Sequence, residues 1–193
     1  MRIIAGSLRG RRLGPPPPGV RPTADRVRES LFGRLGDVSG ARVLDLFAGT
    51  GALGIEAISR GAESVVFVDL SARTLAVLER SLDRLGIAEH ATLMKCEARG
   101  ALRRLAGSSA RFDLVFVDPP YDDFDAIGPL LEQLVADGLL VPGATVVVEC
   151  AKRHAVPPTP GLEVEAIRAY GDTSLTWLVG SAVTESAGGA RAR

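Results

Sequence analysis

The sequence predicts an α/β fold with a doubly wound, mostly parallel seven-stranded sheet, a terminal antiparallel hairpin and a small basic N-terminal extension. Five short apolar segments alternate with helical segments between residues 42 and 149, which is typical of parallel strands joined by right-handed crossovers. Two further apolar segments are separated only by Gly171 and Asp172, which predicts a hairpin. Arginines are concentrated before residue 29, which sets the first part of the chain apart.

The composition is that of one globular domain. Of 193 residues, 46% are hydrophobic and 24% are charged, which is enough apolar material for a single core. No apolar stretch approaches the roughly 20 residues that cross a bilayer, and the N-terminus lacks the apolar segment of a secretion signal. Cys96 and Cys150 have neither redox nor metal-ligand spacing, and neither His90 nor His154 lies in a metal-binding motif. We expect a cytoplasmic monomer without membrane spans or metal.

Charge is distributed unevenly along the chain. Residues 1–28 carry seven arginines and a single acid, Asp25, for a net charge of +6, and the remainder carries −6. Clustered arginines favour an anionic polymer because they displace counterions from a phosphate backbone, although a merely solvated basic surface has the same composition. The candidate RNA-binding residues are Arg2, Arg9, Arg11, Arg12, Arg21, Arg26 and Arg28.

Each element is predicted from local pattern. Residues 2–5 and 10–13 flank a Gly-Ser turn and predict a hairpin, the prolines at 15–18 predict an extended linker, and Thr23 caps a helix over 24–35. Predicted strands cover 42–47, 64–69, 91–95, 112–118, 144–149, 163–170 and 173–179, and predicted helices cover 52–60, 72–85, 97–106 and 124–137. The expected division is a basic extension over 1–36, the main domain over 37–180 and a disordered tail over 181–193.

A glycine-rich loop follows the first predicted strand. Gly49, Gly51 and Gly54 form a GxGxxG pattern, and Asp69 ends the second predicted strand, as in sites that bind an adenosine-containing ligand at a helix N-terminus. Asp45, near the end of the first strand, would repel a pyrophosphate and attract a sulfonium or an ammonium. The pattern therefore favours S-adenosylmethionine over a dinucleotide, while a tight turn without a ligand stays open.

A second motif, Asp118-Pro119-Pro120-Tyr121, ends the fourth predicted strand. The prolines carry no backbone N–H, so the segment offers carbonyl oxygens and a carboxylate as hydrogen-bond acceptors. Such acceptors suit an exocyclic amine, whose lone pair they would direct toward a methyl donor. Tyr121 is placed to stack on an extruded base. A strand-terminating turn is the simpler alternative.

These features fall on one edge of the predicted sheet. In doubly wound sheets ligands bind at the carboxyl ends of the strands, where the strand order reverses. Asp45, the glycine loop, Asp69, Asp118 and the pair Glu97-Ala98 after the third strand all belong to that edge. The sequence therefore predicts a single crevice.

With these motifs, the chain resembles Rossmann-like class I S-adenosylmethionine-dependent methyltransferases, and more narrowly the RsmD family of 16S ribosomal RNA guanine-N2 methyltransferases. The similarity covers roughly residues 1–180. It depends on RIIAG at 2–6, RGR at 9–11, RPTADRVRESLF at 21–32, LDLFAGTGALGIEA at 44–57 and DPPY at 118–121. The N-terminal segments are the specific part, since the other two motifs also occur in adenine-N6 methyltransferases.

The resemblance implies methylation of a guanine N2 in 16S ribosomal RNA within assembled or partly assembled 30S subunits, with the basic hairpin holding the RNA. It implies that Asp45 and the loop from Gly49 to Gly51 face the methionyl part of S-adenosylmethionine, Asp69 the ribose, and Glu97 and Ala98 the adenine. The implied cofactor-binding set also contains Phe47, Ala48, Thr50 and Leu70. Asp118, Pro119, Pro120 and Tyr121 are the implied catalytic residues.

Three other functions stay open from the residues alone. One is adenine-N6 methylation of DNA or RNA, which the glycine loop and the DPPY motif also serve. Another is nicotinamide-dependent oxidoreduction, which GxGxxG allows and Asp45 disfavours. The last is a non-catalytic ribosome assembly factor that keeps the fold for docking.

Overall fold

The computed structural model describes residues 1–14 and 25–181. Arg21, Thr23, the proline segment at 15–18 and the tail at 182–193 lie outside the described residues. The helices are α1 (Asp25–Leu35), α2 (Ala52–Ser59), α3 (Ala72–Leu85), α4 (Ala98–Ala106) and α5 (Ile127–Ala136). The strands are β1 (Arg42–Asp45), β2 (Ser64–Asp69), β3 (Ala91–Lys95), β4 (Phe112–Val117), β5 (Leu140–Ala151), β6 (Leu162–Tyr170) and β7 (Thr173–Gly180).

The strands form one seven-stranded sheet in the order β3-β2-β1-β4-β5-β7-β6. The first five are parallel, and β7 lies antiparallel to both β5 and β6. The predicted fold class, including the terminal hairpin, is confirmed. Because the chain moves outward from β1 to β3 on one side and from β4 to β5 on the other, the strand order reverses between β1 and β4, where a crevice is expected.

Side chains of the strands alternate between two cores. One core contains Val43, Phe67 and Phe116 with the helices α1, α2 and α3, and the other contains Leu44, Val68 and Val115 with α4 and α5. The helices therefore cover both faces of the sheet, as the continuous apolar strands require. Within residues 1–14 and 25–181, no helix is both long enough and apolar enough to cross a membrane.

Three elements differ from the prediction. The helix expected from residue 124 begins at Ile127, and a 3-10 helix occupies Tyr121–Ala126, a common form for a connection that enters a helix. β5 begins four residues earlier than predicted and extends to Ala151, where it pairs with Thr173 of β7. β3 lies at an edge of the sheet rather than buried on both faces, and its Thr92 and Lys95 are exposed.

The N-terminal segment is packed against the main domain. A single antiparallel bridge joins Arg2 and Arg12 in the predicted hairpin. Ile3 and Leu13 are buried in the same core as Phe32 of α1. The segment expected as an extension therefore contributes apolar side chains to the core that is covered by helices α1, α2 and α3.

A buried carboxylate, Glu56 of α2, holds this segment in place. It accepts hydrogen bonds from the backbone N–H groups of Ile4 at 2.8 Å and Ala5 at 3.0 Å, and from Nε of Arg60 at 2.9 Å. Nη1 of Arg28 lies 3.7 Å from its Oε2, and both side chains are fully buried. An acceptor-only carboxylate thus satisfies two backbone donors and offsets a buried cation.

The prediction that Arg28 binds RNA is wrong. Its side chain is fully buried, and Nη2 donates to the backbone oxygen of Arg2 at 2.7 Å and to Oδ1 of Asp25 at 2.8 Å. A guanidinium enclosed in this way cannot reach a phosphate at the protein surface. Arg28 therefore stabilises the N-terminal segment instead.

Candidate cofactor and acceptor sites

The two predicted motifs meet where β1 and β4 lie side by side. Asp45 is the last residue of β1 and pairs with Phe116 of β4, and Asp118 follows β4 directly. The carboxyl ends of these strands border the point where the strand order reverses. The structure therefore brings the glycine loop and the DPPY segment to the same edge of the sheet.

The glycine loop has a conformation that other residues rarely adopt. Gly49 and Gly51 have φ values of 51° and 74°, in the left-handed region that favours glycine. A Cβ added to Gly54 would lie 2.2 Å from the ring of Phe67. The first two glycines thus shape the turn, and the third allows α2 to pack closely on β2.

Asp69 holds the loop from the neighbouring strand. Its Oδ2 accepts from the N–H of Gly49 at 3.0 Å, and its Oδ1 accepts from the N–H of Ser71 at 2.7 Å. Each carboxylate oxygen can accept a second hydrogen bond, so these contacts are compatible with a diol ligand. The next residue, Leu70, is 68% exposed, and it therefore offers an apolar surface to a ligand at this edge.

Asp45 is the buried charge of the site. It is 2% exposed, and its Oδ2 accepts from the N–H of Gly54 at 3.3 Å. Burial raises the pKa of Asp45 to about 7; the Gly54 hydrogen bond opposes this shift, and the charge of Asp69 adds to it. A cationic ligand group would stabilise the ionised form and lower this pKa.

We expect the stability of the protein to fall as pH rises from about 4 to about 7 through this one group. The pKa of Asp45 is higher in the folded protein than in the unfolded chain, so between these two values the native state binds more protons. Its ionisation therefore lowers the free energy of unfolding as pH rises, and the full loss is reached above about pH 7. Asp45→Asn keeps an acceptor for Gly54 and removes the charge. Urea unfolding at pH 5 and pH 8 should show a smaller loss of free energy with pH in the variant than in the wild type. Equal pH dependence would contradict the assignment.

The remaining predicted cofactor residues line the same edge. Phe47, Ala48 and Thr50 belong to the loop after β1, with Ala48 and Thr50 buried and Phe47 half-buried. Glu97 is exposed and directly precedes α4, and Ala98 is buried as its first residue. Each predicted position therefore lies at the carboxyl end of β1, β2 or β3.

The DPPY segment borders a shallow cavity. Asp118 and Pro119 are half-buried and Pro120 is exposed, while the side chain of Tyr121 lies outside the described part of the structure. The two prolines line the cavity together with Phe124, Glu149 and His154. Sequence reasoning missed these last three residues: Phe124 belongs to the 3-10 helix that follows the motif, and the pairing of β4 with β5 brings Glu149 and the loop with His154 to it.

Five of the arginines predicted to bind RNA are exposed. Arg2, Arg9, Arg11, Arg12 and Arg26 are exposed. Nη1 of Arg11 donates to the backbone oxygen of Leu85 at 2.9 Å, and Nη2 of Arg84 donates to the backbone oxygen of Arg12 at 3.1 Å. The hairpin is thus fastened to the end of α3, where Arg84 adds to its positive charge.

Together, the strand order and the glycine loop define the class I methyltransferase fold, the fold of S-adenosylmethionine-dependent methyltransferases. Solved structures agree. The Escherichia coli protein YhhF has a TM-score of 0.83 at 32% identity, covering 94% of this chain and 98% of that one. An RNA methyltransferase from Salinibacter ruber, solved with S-adenosyl-L-homocysteine, has a TM-score of 0.63 at 16% identity, covering 83% and 94%, and this likeness concerns the fold alone.

A family model described as Conserved hypothetical protein 95 matches residues 1–179. The chain belongs to this family. Ribosomal RNA small subunit methyltransferase D of Escherichia coli is 39% identical over 166 residues, which is 83% of this chain and 79% of that protein. The protein of the same name from Haemophilus influenzae is 37% identical, covering 79% of each. The resemblance inferred from the motifs is therefore confirmed.

Proposed function

We propose that this protein transfers a methyl group from S-adenosylmethionine to the exocyclic N2 of a guanine in 16S ribosomal RNA, within assembled or partly assembled 30S subunits. The observation that carries the proposal is the meeting of the glycine loop and the DPPY segment at one sheet edge, in a chain 39% identical to a ribosomal RNA small subunit methyltransferase. A ribosomal substrate implies that the enzyme works in the cytoplasm.

The residues at the edge fit S-adenosylmethionine. The left-handed glycines at 49 and 51 shape the turn that leads into α2, Asp69 has acceptor capacity for ribose hydroxyls, and Asp45 supplies a buried carboxylate for a cationic methionyl group. Leu70 provides apolar contact for the adenine. The bound cofactor supplies an electrophilic methyl group attached to a sulfonium.

The DPPY segment serves the acceptor amine. The amine of guanine is a poor nucleophile because its lone pair is delocalised into the ring. Hydrogen bonds from its two hydrogens to the Asp118 carboxylate and to a neighbouring carbonyl would favour a pyramidal nitrogen and localise that lone pair. Formation of the N–C bond would break the bond between the methyl group and the sulfonium sulfur and leave a neutral thioether. The nitrogen would then be positive and lose one proton, and a carboxylate nearby would stabilise that charge and receive the proton.

The exposed arginines of the N-terminal segment supply the RNA-binding surface. Arg2, Arg9, Arg11 and Arg12 stand on the N-terminal hairpin, which is fixed to α2 and α3, and Arg26 stands on α1. Contacts of guanidinium groups with phosphates hold an RNA in register without reading its sequence. The segment would therefore hold the RNA while the crevice selects the base.

Removal of two of these charges should weaken RNA binding in a salt-dependent way. Arg9→Gln with Arg12→Gln avoids Arg11, whose side chain fastens the hairpin to α3. If each arginine contacts one phosphate, the slope of log affinity against log salt should decrease by about two. The matched control is Arg104→Gln with Arg111→Gln, two exposed positions on α4 and just before β4. Titrations of 30S particles at several salt concentrations measure both slopes, and equal slopes would contradict the assignment.

The function is tested in cells from which the gene has been deleted. Their 16S RNA should lack one N2-methylguanosine that the parent strain contains, and a plasmid carrying the wild-type gene should restore it. A plasmid carrying Asp118→Ala should not restore it. An unchanged set of methylated nucleosides in the deletion strain would contradict the proposal, and loss of an N6-methyladenosine would assign the enzyme to adenine instead.

A further inference from the structure

The cavity beside the DPPY segment contains one acidic side chain that the function has not used so far. Glu149 lies on β5 and lines the cavity together with Pro119 and Pro120, and its Oε2 atom is buried. A carboxylate facing a binding cavity is a common means of selecting a ligand with hydrogen-bond donors.

The sheet register places Glu149 level with Asp118. Val117 of β4 pairs with Val148 of β5 in a parallel ladder. The residues that follow this pair are Asp118 and Glu149, so their backbones leave neighbouring strands at the same height, about 5 Å apart. The backbones of these two acidic residues therefore leave the sheet side by side, with Glu149 lining the cavity and Asp118 directly preceding its wall residue Pro119.

The other walls are suited to a planar ring. The rings of Phe124 and His154 lie against each other, with centroids 4.2 Å apart and planes at 37°, and Ile127 adds an aliphatic surface. Nε2 of His154 accepts from Nε of Arg153 at 3.2 Å. Enzymes that act on an extruded base combine such apolar and aromatic walls with hydrogen bonds to its Watson–Crick edge.

The thiol of Cys150, which also lines the cavity, does not add negative charge. Burial raises the pKa of the Cys150 thiol, and the negative charge of Glu149 contributes in the same direction, while a hydrogen bond with Ser174 opposes the shift. The thiol is thus neutral at pH 7, and the acceptor oxygens beside it belong to the carboxyl group of Glu149. A phosphate would be repelled here, whereas a ring bearing N–H donors would be attracted.

Among the four RNA bases, guanine alone has a ring N–H next to its exocyclic amine. In adenine and cytosine the ring nitrogen beside the amine carries a lone pair, and uracil has no amine. Two adjacent acceptors on the protein therefore match the N1–H and N2 amine of guanine. With adenine or cytosine, a carboxylate would face a lone pair and lose a hydrogen bond, which is the kind of mismatch that polar sites reject strongly.

We propose that Glu149 is the specificity-determining residue for guanine, accepting a hydrogen bond from N1–H while the Asp118-Pro119 segment holds the N2 amine. This inference rests on the proposed function, since it names how the same site selects its base. Glu149 acts in ground-state selection and orientation of the base, and Asp118 acts on the reacting nitrogen.

The test compares two bases in two enzymes. 30S particles are reconstituted from 16S RNA that carries either guanine or 2-aminopurine at the methylated position. 2-Aminopurine keeps the N2 amine and has a lone pair in place of N1–H. The wild type should prefer guanine in kcat/KM, by about 10- to 100-fold from this contact. In Glu149→Gln the amide N–H can donate to that lone pair, so the preference should shrink by a similar factor or reverse.

The ratio separates recognition from damage to the fold. A purely structural defect would lower kcat/KM for both bases equally and leave the preference unchanged, which would overturn the inference. Glu132→Gln, the same change at an exposed position of α5, should retain the wild-type preference. If Glu149→Gln does not fold, equal wild-type rates on the two bases would still overturn the inference. Methylation of adenine by the wild type would instead overturn the proposed function together with it.

Discussion

Asp118→Ala should lower the turnover of methyl transfer by about 100- to 1000-fold or more. The variant loses the acceptor that localises the amine lone pair and stabilises the charge developing on nitrogen, and losses of this size are typical when one such group is removed. The affinity for S-adenosylmethionine should change little, because Asp118 lies after β4, away from the proposed cofactor residues. The glycine loop follows β1, and Asp69 is the last residue of β2. Single-turnover kinetics with 30S particles and calorimetry of cofactor binding measure the two effects separately.

Asp118→Asn is the matched variant, because it keeps one acceptor oxygen and removes the charge. Its turnover should lie between those of the wild type and Asp118→Ala if both the hydrogen bond and the charge contribute. A large loss of cofactor affinity in either variant would place Asp118 in the cofactor site. Wild-type turnover in Asp118→Ala would remove it from the mechanism.

Glu56→Ala should destabilise the protein by about 3–5 kcal/mol, the cost typical of breaking a buried ion pair. Glu56 and Arg28 are both fully buried, and Glu56 also accepts from the backbone N–H groups of Ile4 and Ala5. Its removal leaves a buried guanidinium without its nearest buried counter-charge and two backbone donors without their acceptor. Since domains of this kind have a total stability of about 5–15 kcal/mol, the loss should be evident in urea unfolding.

Glu79→Ala on α3 is the control, because Glu79 is exposed and such positions usually change stability by about 0.5 kcal/mol or less. We expect Glu56→Ala also to weaken binding of 30S particles, because the basic hairpin is fixed to α2 through this carboxylate. Equal stabilities of the two variants would show that the buried pair does not hold the segment.

Local signals predicted the elements whose ends are determined locally. The bounds of α3 agree to the residue, because the hydroxyl of Ser71 accepts from the N–H of Thr74 at one end and Gly86 adopts a left-handed conformation at the other. The glycine loop and Asp69 were also predictable, since the function of such a loop depends on spacing along the chain. The doubly wound, mostly parallel class of the sheet followed from the alternation of strands and helices.

Features that depend on partners distant in sequence were missed or misassigned. Arg28 has the same charge as its exposed neighbour Arg26, and only the approach of Glu56 from α2 buries it. Glu149 and His154 have no motif of their own. The pairing of β4 with β5 places Glu149 at the site, and the extension of β5 to Ala151 precedes the loop that contains His154. A strand predicted to end at residue 149 gave no reason to place the following loop beside the DPPY segment.

The most direct test of the proposed function is methyl transfer from labelled S-adenosylmethionine to 30S particles and to bare 16S RNA, both from cells that lack the enzyme, followed by nucleoside mass spectrometry. We expect N2-methylguanosine at one site, with more transfer to the particles than to bare RNA. Label in adenine or in a ribosomal protein would contradict the assignment of the acceptor. Binding of the particles without any label would contradict methyl transfer itself and favour a role in ribosome assembly.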